Sequence, residues 1–214
     1  MSHLRVDQIG IRFDTTDVLR EATLTVERAE VVALLGPSGS GKTTLLRVIA
    51  GILRPDSGSV WIGANDITSL PTHQRGVGMV FQDNQLFPHM STIDNVAYGL
   101  RVAGVAKAER HERGAAWLDR VGLAGFEGRV VTELSGGEAK RVALARTLAT
   151  EPSVVLLDEP LTGLDRELHD RLAIQLAQLL VEHSITAVLV THDPAEADVV
   201  ASRSVRMDQI DGSD

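Results

Sequence analysis

Residues Gly36–Thr43 read GPSGSGKT, a stretch built from glycines, hydroxyls and one lysine. Glycines let backbone N–H groups turn inward and approach an anion, and Lys42 adds a point charge. The all-apolar run VVALL (31–35) precedes this loop, and an apolar-periodic stretch from Lys42 to Ala50 follows it. The loop therefore joins a buried strand to a helix N-terminus, whose dipole favours negative charge. The chemistry this set supports is the binding of a phosphate chain. Lys42 reaches the β- and γ-phosphates and the Thr43 hydroxyl sits on Mg²⁺. Gly36, Pro37, Ser38, Gly39, Ser40, Gly41, Lys42, Thr43 and Thr44 form the candidate nucleotide cradle. A glycine-rich turn without a ligand is the bland alternative, and it leaves the complete eight-position pattern without a cause.

VVLLDEP (154–160) is a four-residue apolar strand ending in two acids. In open parallel sheets, ligands lie beyond the carboxyl ends of the strands. Asp158 is placed to bind the Mg²⁺ shell. Glu159, one step on, can orient and polarise an attacking water. Taken alone, the two acids also suit a turn before Pro160. AVLV (187–190) ends in Thr191–His192, so the same argument makes His192 a candidate contact for the γ-phosphate and the water. Asp193-Pro194-Ala195-Glu196 reads as a helix cap with proline at the first helical position. Gln82 closes VGMVF (77–81), and its neutral amide can touch Mg²⁺ or water and release again.

LSGGE (134–138) raises a different question. Ser135 and Glu138 have the spacing of a capping box, but a cap does not call for two glycines. Gly136 and Gly137 imply that something approaches this backbone closely.

These residues need a parallel sheet to bring them together, and the rest of the chain supplies one. Short apolar strands at 31–35, 77–81, 154–157 and 186–190 alternate with helices at 42–50, 138–150, 167–183 and beyond Pro194, the mark of an α/β sheet. Period-2 alternation at 4–13 and 22–28, around DTTD, predicts an N-terminal antiparallel region, with SVWI (59–62) a further strand. From Leu86 to Leu134 the pattern is helical and more polar, which predicts an inserted helical subdomain (86–134) within a core of 1–85 and 135–214. In the helix at 167–183, Leu168, Leu172, Leu176, Leu179 and Leu180 share one face, and Glu167 and Arg171 have i, i+4 spacing.

The totals fit a single such domain. The 214 residues are 43% hydrophobic, enough for a sizeable core, and no apolar run approaches a membrane span. With no cysteine, disulfides and thiolate metal sites are excluded, in keeping with the cytosol. A net charge of -8 argues against nucleic acid as a partner. The N-terminus MSHLRVDQ is neither a signal nor a transit peptide.

GPSGSGKT, Gln82, LSGGE, LLDEP and His192, in that order, resemble the nucleotide-binding subunit of an ABC transporter. The resemblance covers nearly the whole chain, and LSGG is its discriminating piece. It implies a P-loop ATPase fold and a head-to-tail homodimer holding two ATP molecules with Mg²⁺. Each ATP would lie between the phosphate loop of one subunit and the LSGG of the other, so the partner's γ-phosphate would be what approaches Gly136 and Gly137. It also implies that Phe13 stacks on adenine and that Asp165 makes a cross-dimer contact. From the residues alone, Phe13 suits strand core and Asp165 suits the N-cap of the next helix.

FPHMSTIDNVAYGL (87–100) resembles the segment of bacterial importers that forms the groove for a permease's coupling helix. Within the family the chain resembles importers of ferric iron, thiamine, polyamines, sulfate or molybdate. The expected role is the ATP-hydrolysing subunit of an importer, peripheral on the cytoplasmic face of the membrane. The expected partners are permease subunits and, through them, an extracytoplasmic binding protein. An exporter subunit differs only in its membrane partner. A soluble DNA-repair relative would need a long coiled coil, and only 52 residues separate Gln82 from Ser135. There are departures from the family pattern. Glu138 stands where Gln is common, which suggests a modest loss of ATP affinity in the closed dimer, and Thr162–Gly163 stand for Ser-Ala. The sequence ends 22 residues after His192, so the regulatory domain many importer relatives carry is expected to be absent.

Overall fold

A computed structural model describes residues 3–212. In chain order, β1 (Leu4–Phe13) and β2 (Thr16–Val26) form a hairpin, and β3 (Val31–Leu35) leads through the glycine loop into α1 (Lys42–Ala50). Next come β4 (Ser57–Ile62), β5 (Asn65–Asp66), β6 (Val77–Val80), α2 (Thr92–Val96), α3 (Tyr98–Val102) and α4 (Lys107–Arg120). The remainder is α5 (Gly136–Leu148), β7 (Val154–Asp158), α6 (Arg166–Glu182), β8 (Ala187–Val190), α7 (Pro194–Val200), β9 (Arg203–Arg206) and α8 (Met207–Ile210).

The first sheet has the order β2-β1-β4-β5 and is antiparallel; the second runs β6-β7-β8-β3-β9 and is parallel. Successive residues of the parallel strands feed opposite layers. Val154, Leu156, Val188, Val190, Val32 and Leu34 pack toward α1 and the antiparallel sheet. Val155, Leu157, Ala187, Leu189 and Ala33 pack toward α5, α6 and α7. This period of 2 between two apolar layers is why the strands read as unbroken hydrophobic runs.

Several boundaries differ from the sequence reading. The second strand starts at Thr16, not residue 22, because register shifts along β1 break the alternation. β9 pairs with β3 at the sheet edge, but its residues RSVR carry no apolar run and gave no strand signal. On α6, Leu172, Leu176, Leu179 and Leu180 are buried and Leu168 is partly so, as expected. The i, i+4 ion pair on this helix is Arg166–Asp170 at 3.1 Å rather than Glu167–Arg171.

Candidate functional site

Strand register decides which residues meet. Val190 pairs with both Leu34 of β3 and Asp158 of β7, so the carboxyl ends of three neighbouring strands finish level. The glycine loop, the acidic pair and His192 all leave from that edge.

In the loop, Pro37, Ser38 and Gly39 are exposed, whereas Lys42 is buried. Lys42 Nζ donates to Gly36 O at 2.7 Å and Pro37 O at 2.8 Å, so the ammonium lies across its own loop. Ser40 Oγ is 3.5 Å from the same nitrogen. Gly39 has open space where a Cβ would stand. Gly41, with φ +93°, does not: a Cβ there would lie 2.8 Å from Leu19 Cδ2 and 2.9 Å from Val18 O, where β2 presses on the loop. Gly41 therefore meets both a backbone requirement and a packing requirement.

Thr43 Oγ1 donates to Asp158 Oδ1 at 2.9 Å, which joins α1 to the end of β7. Asp158 is 5% exposed. Burial pushes its carboxyl above the usual carboxylate range, the Thr43 bond opposes this, and the neighbouring Glu159 charge adds to the upward push. A buried carboxylate and a hydroxyl form the hard-oxygen donor set that Mg²⁺ prefers. The open rim, the cation across the loop and this oxygen pair together fit a Mg²⁺-bound phosphate chain.

Linkage gives the sign of one prediction. A carboxyl whose folded pKa is raised costs stability progressively as pH rises through the unfolded and then the folded value. Asp158→Asn keeps an acceptor for Thr43 and removes the buried charge. The expected result is a Tm higher by a few degrees at pH 7 with nucleotide-dependent hydrolysis abolished. An unchanged or lower Tm in scanning calorimetry would show that Asp158 is not under this strain.

Glu159 has φ +47°, a left-handed conformation uncommon for a residue with a side chain. Its N–H donates to Val190 O at 2.9 Å, and its Oε2 accepts from Thr162 Oγ1 at 3.0 Å. His192 Nδ1 lies 3.4 Å from the same Oε2, and the histidine side chain is 61% exposed. The structure thus brings Glu159 and His192 together at the open edge. Gln82 is not drawn in. It lies beyond the end of β6, exposed, and its side chain has no hydrogen bond among the described residues.

Ser135 caps α5 through the capping box. Ser135 Oγ accepts from Glu138 N at 3.3 Å, and Ser135 N donates to Glu138 Oε2 at 2.7 Å. The Ser135 N–H first, and then the Ser135 hydroxyl, hold the Glu138 carboxyl below its usual range. The two glycines have different neighbours. A Cβ on Gly137 would stand 3.0 Å from Leu168 Cδ2, so packing within the chain explains that one. Among the described residues, a Cβ on Gly136 would meet only Leu164, at 3.9 Å, and Gly136 is exposed. Asp165 caps α6, accepting from Leu168 N at 3.0 Å. Asp193 caps α7 with proline at the first turn, as read from the sequence. Phe13 is 46% exposed at the end of β1, so it is not strand core.

Some residues around the site gave no signal in the sequence. Arg146 on α5 donates to Gln85 O at 2.7 Å and Asn84 O at 2.8 Å, holding the loop after Gln82. Asn95, fully buried, bonds both Phe87 N and Phe87 O and fixes the next turn. α2 reads TIDNV, three polar residues in five, so nothing local marks Asn95 for burial.

A family model described as ABC transporter matches residues 19–162. The Fe(3+) ions import ATP-binding protein FbpC of Agrobacterium fabrum is 49% identical over 195 residues, covering 91% of this chain and 55% of that relative. FbpC of Streptomyces avermitilis is 49% identical over 197 residues, covering 92% and 57%. The chain thus spans about half the length of the curated relatives it matches. The dimeric structure of MJ0796, a bacterial ABC transporter cassette, superposes with a TM-score of 0.84 at 29% identity, covering 95% of this chain and 94% of that one. With sequence, strand order and fold in agreement, the chain belongs to the ABC transporter family.

Proposed function

We propose that this chain is the ATP-hydrolysing, energy-coupling subunit of an ABC importer. The observation that carries the reading is the meeting of five side chains at one sheet edge: Lys42 across the phosphate loop, Thr43 bonded to Asp158, and His192 within 3.4 Å of Glu159. Glu159 accepts the proton of the attacking water, and His192 steadies that water and the γ-phosphate. Lys42 exchanges its loop carbonyls for phosphate oxygens and offsets the charge that develops there. Thr43 and Asp158 would hold Mg²⁺, with Gln82 joining them from the end of β6, and the ion would supply charge neutralisation for the bound phosphates. Phe13, exposed beside the loop's hairpin, stacks on adenine.

The second half of the site belongs to another copy, arranged head to tail. The partner subunit's Ser135, Gly136 and Gly137 present a helix N-terminus to the γ-phosphate. Exposed Gly136 supports this, since nothing among the described residues requires a glycine there. Gly136→Ala is expected to leave Tm unchanged or raise it, as a helix former replaces glycine. The same variant should lose ATP-driven dimerisation by about tenfold or more in affinity, a side chain intruding on a close contact. Equilibrium sedimentation with ATP checks this; dimerisation at wild-type affinity would remove the argument from Gly136.

The segment 86–134 forms the arm that faces the permease, with Phe87 packed on Tyr98 at 4.4 Å as part of its groove. No helix among the described residues is long and apolar enough to cross a membrane. In this reading the permease holds the chain at the cytoplasmic face. Relatives named for Fe(3+) import support ferric ions, delivered by an extracytoplasmic binding protein, as the cargo of the assembly. The test is recovery of tagged protein from mildly solubilised membranes. A co-purifying multi-spanning permease with ATPase activity supports the reading, and exclusively soluble partners overturn it.

A further inference from the structure

We propose that Thr191 and Glu196 are positioning residues for His192, a buried hydroxyl–carboxylate pair that pins the backbone on both sides of the histidine. The inference rests on the reading of His192 as a group that touches the γ-phosphate and the attacking water.

Packing does little to hold His192, whose side chain is 61% exposed and meets Glu159 Oε2 at 3.4 Å. Its two neighbours are held by one oxygen. Thr191 Oγ1 donates to Glu196 Oε2 at 2.6 Å, and the same oxygen accepts from Asp193 N at 3.0 Å. Thr191 is 1% exposed and Glu196 4%. The hydroxyl is thus used as donor and acceptor at once, and rotating it breaks both bonds. Glu196 lies in the first turn of α7, where the helix dipole favours its charge. From the other side, α6 braces the same loop: Arg166 Nη1 is 3.3 Å from Asp193 Oδ2, and His169 Nε2 is 3.7 Å from Glu196 Oε2.

Glu196 is a costly way to hold a threonine. Its Oε1 is buried with no hydrogen-bond partner among the described residues, and burial pushes the carboxyl upward against the pull of Thr191 and His169. An unsatisfied buried polar atom opposes folding. The pair is therefore not explained by stability alone. What it does achieve is a single backbone path through His192, which a group acting at hydrogen-bond range on a reacting water requires.

The test is steady-state ATP hydrolysis by the intact chain, with Tm measured alongside. Thr191→Val keeps the shape and removes the hydroxyl; kcat should fall about tenfold while KM for ATP stays within about twofold. Thr191→Ser, which restores the hydroxyl, should recover to within about twofold of the parent. Glu196→Gln, which keeps an acceptor, should stay within about threefold, and Glu196→Ala should match Thr191→Val. In a His192→Ala background, Thr191→Val should change the residual rate less than about twofold, because its effect runs through the missing imidazole. The proposal is overturned if Thr191→Val keeps its kcat, if serine does not rescue, or if the tenfold loss recurs without His192. Wild-type turnover in His192→Ala alone overturns the reading of His192 itself, an outcome distinct from the others.

Discussion

Glu159→Gln lowers ATP turnover by on the order of 10²–10³-fold while leaving nucleotide binding and fold intact. The size of the effect follows from what the substitution changes. Glutamine is nearly isosteric, so the side-chain oxygen that accepts from Thr162 Oγ1 at 3.0 Å is retained, as is the backbone bond to Val190 O. It cannot take a proton from water, which is the one property the role of Glu159 requires. The backbone at Glu159 already lies at φ +47°, and holding a residue with a side chain there costs on the order of 1–3 kcal/mol. The bond to β8 imposes this conformation and turns the carboxylate out of the strand toward His192, 3.4 Å away. Phosphate release gives the rate, and light scattering with ATP and Mg²⁺ gives the oligomeric state. The expected pattern is a long-lived dimer that does not hydrolyse. Turnover within threefold of the parent protein would mean that another group activates the water, and the attention would pass to His192.

Residues adjacent in sequence, or tied to a strand end, were legible without a structure. GPSGSGKT between an apolar strand and a helix already implied the loop, and VVLLDEP implied that Asp158 and Glu159 sit at the edge of a sheet. The capping box of Ser135 and Glu138 and the cap of Asp193 were legible because their partners lie within three residues. Contacts across long separations were not. Arg146 reaches carbonyls 61 and 62 residues away, and no local pattern marks it. The two glycines of LSGG look alike in sequence, yet Gly137 answers to Leu168 and Gly136 to nothing among the described residues. That distinction needs the packing of α5 against α6. Lys42 was expected to reach outward, and in this structure its ammonium lies on its own loop because three oxygens are close enough to hold it. Phe13 and Asp165 each had two readings, and the fold resolved the local half of both: one ring exposed, one carboxylate capping a helix.

Arg75→Ala should destabilise the protein by about 3 kcal/mol, a fall in Tm of roughly 6–12 °C for a domain of this size. Arg75 sits just ahead of β6, far in sequence from the phosphate loop, and only 5% exposed. Its guanidinium donates to four backbone carbonyls: Leu70 O at 2.8 Å, Val48 O at 2.8 Å, Ile49 O at 3.0 Å and Thr68 O at 2.6 Å. Val48 and Ile49 belong to the last turn of α1, where the helical ladder runs out; Val48 O also accepts from the capping Gly51 N at 3.0 Å. A cation there also opposes the negative end of the helix dipole. Gly51 closes the helix at φ +78°, and a Cβ on it would collide with the same guanidinium, so the glycine makes room for the arginine. Alanine takes one donor from each of the four carbonyls in a site where little water reaches, and among the described residues only Val48 O is shown to keep a second donor, Gly51 N. Lysine has no planar fork and should recover less than half of the loss. The consequence reaches the site because α1 is a short rod of nine residues, with Lys42 and Thr43 at its far end. Loosening its C-terminus loosens the Thr43–Asp158 bond, so KM for ATP should rise along with the loss of Tm. Chemical denaturation gives the stability and nucleotide titration the affinity. An Arg75→Ala protein with unchanged stability would mean that water satisfies these carbonyls as well as the guanidinium does.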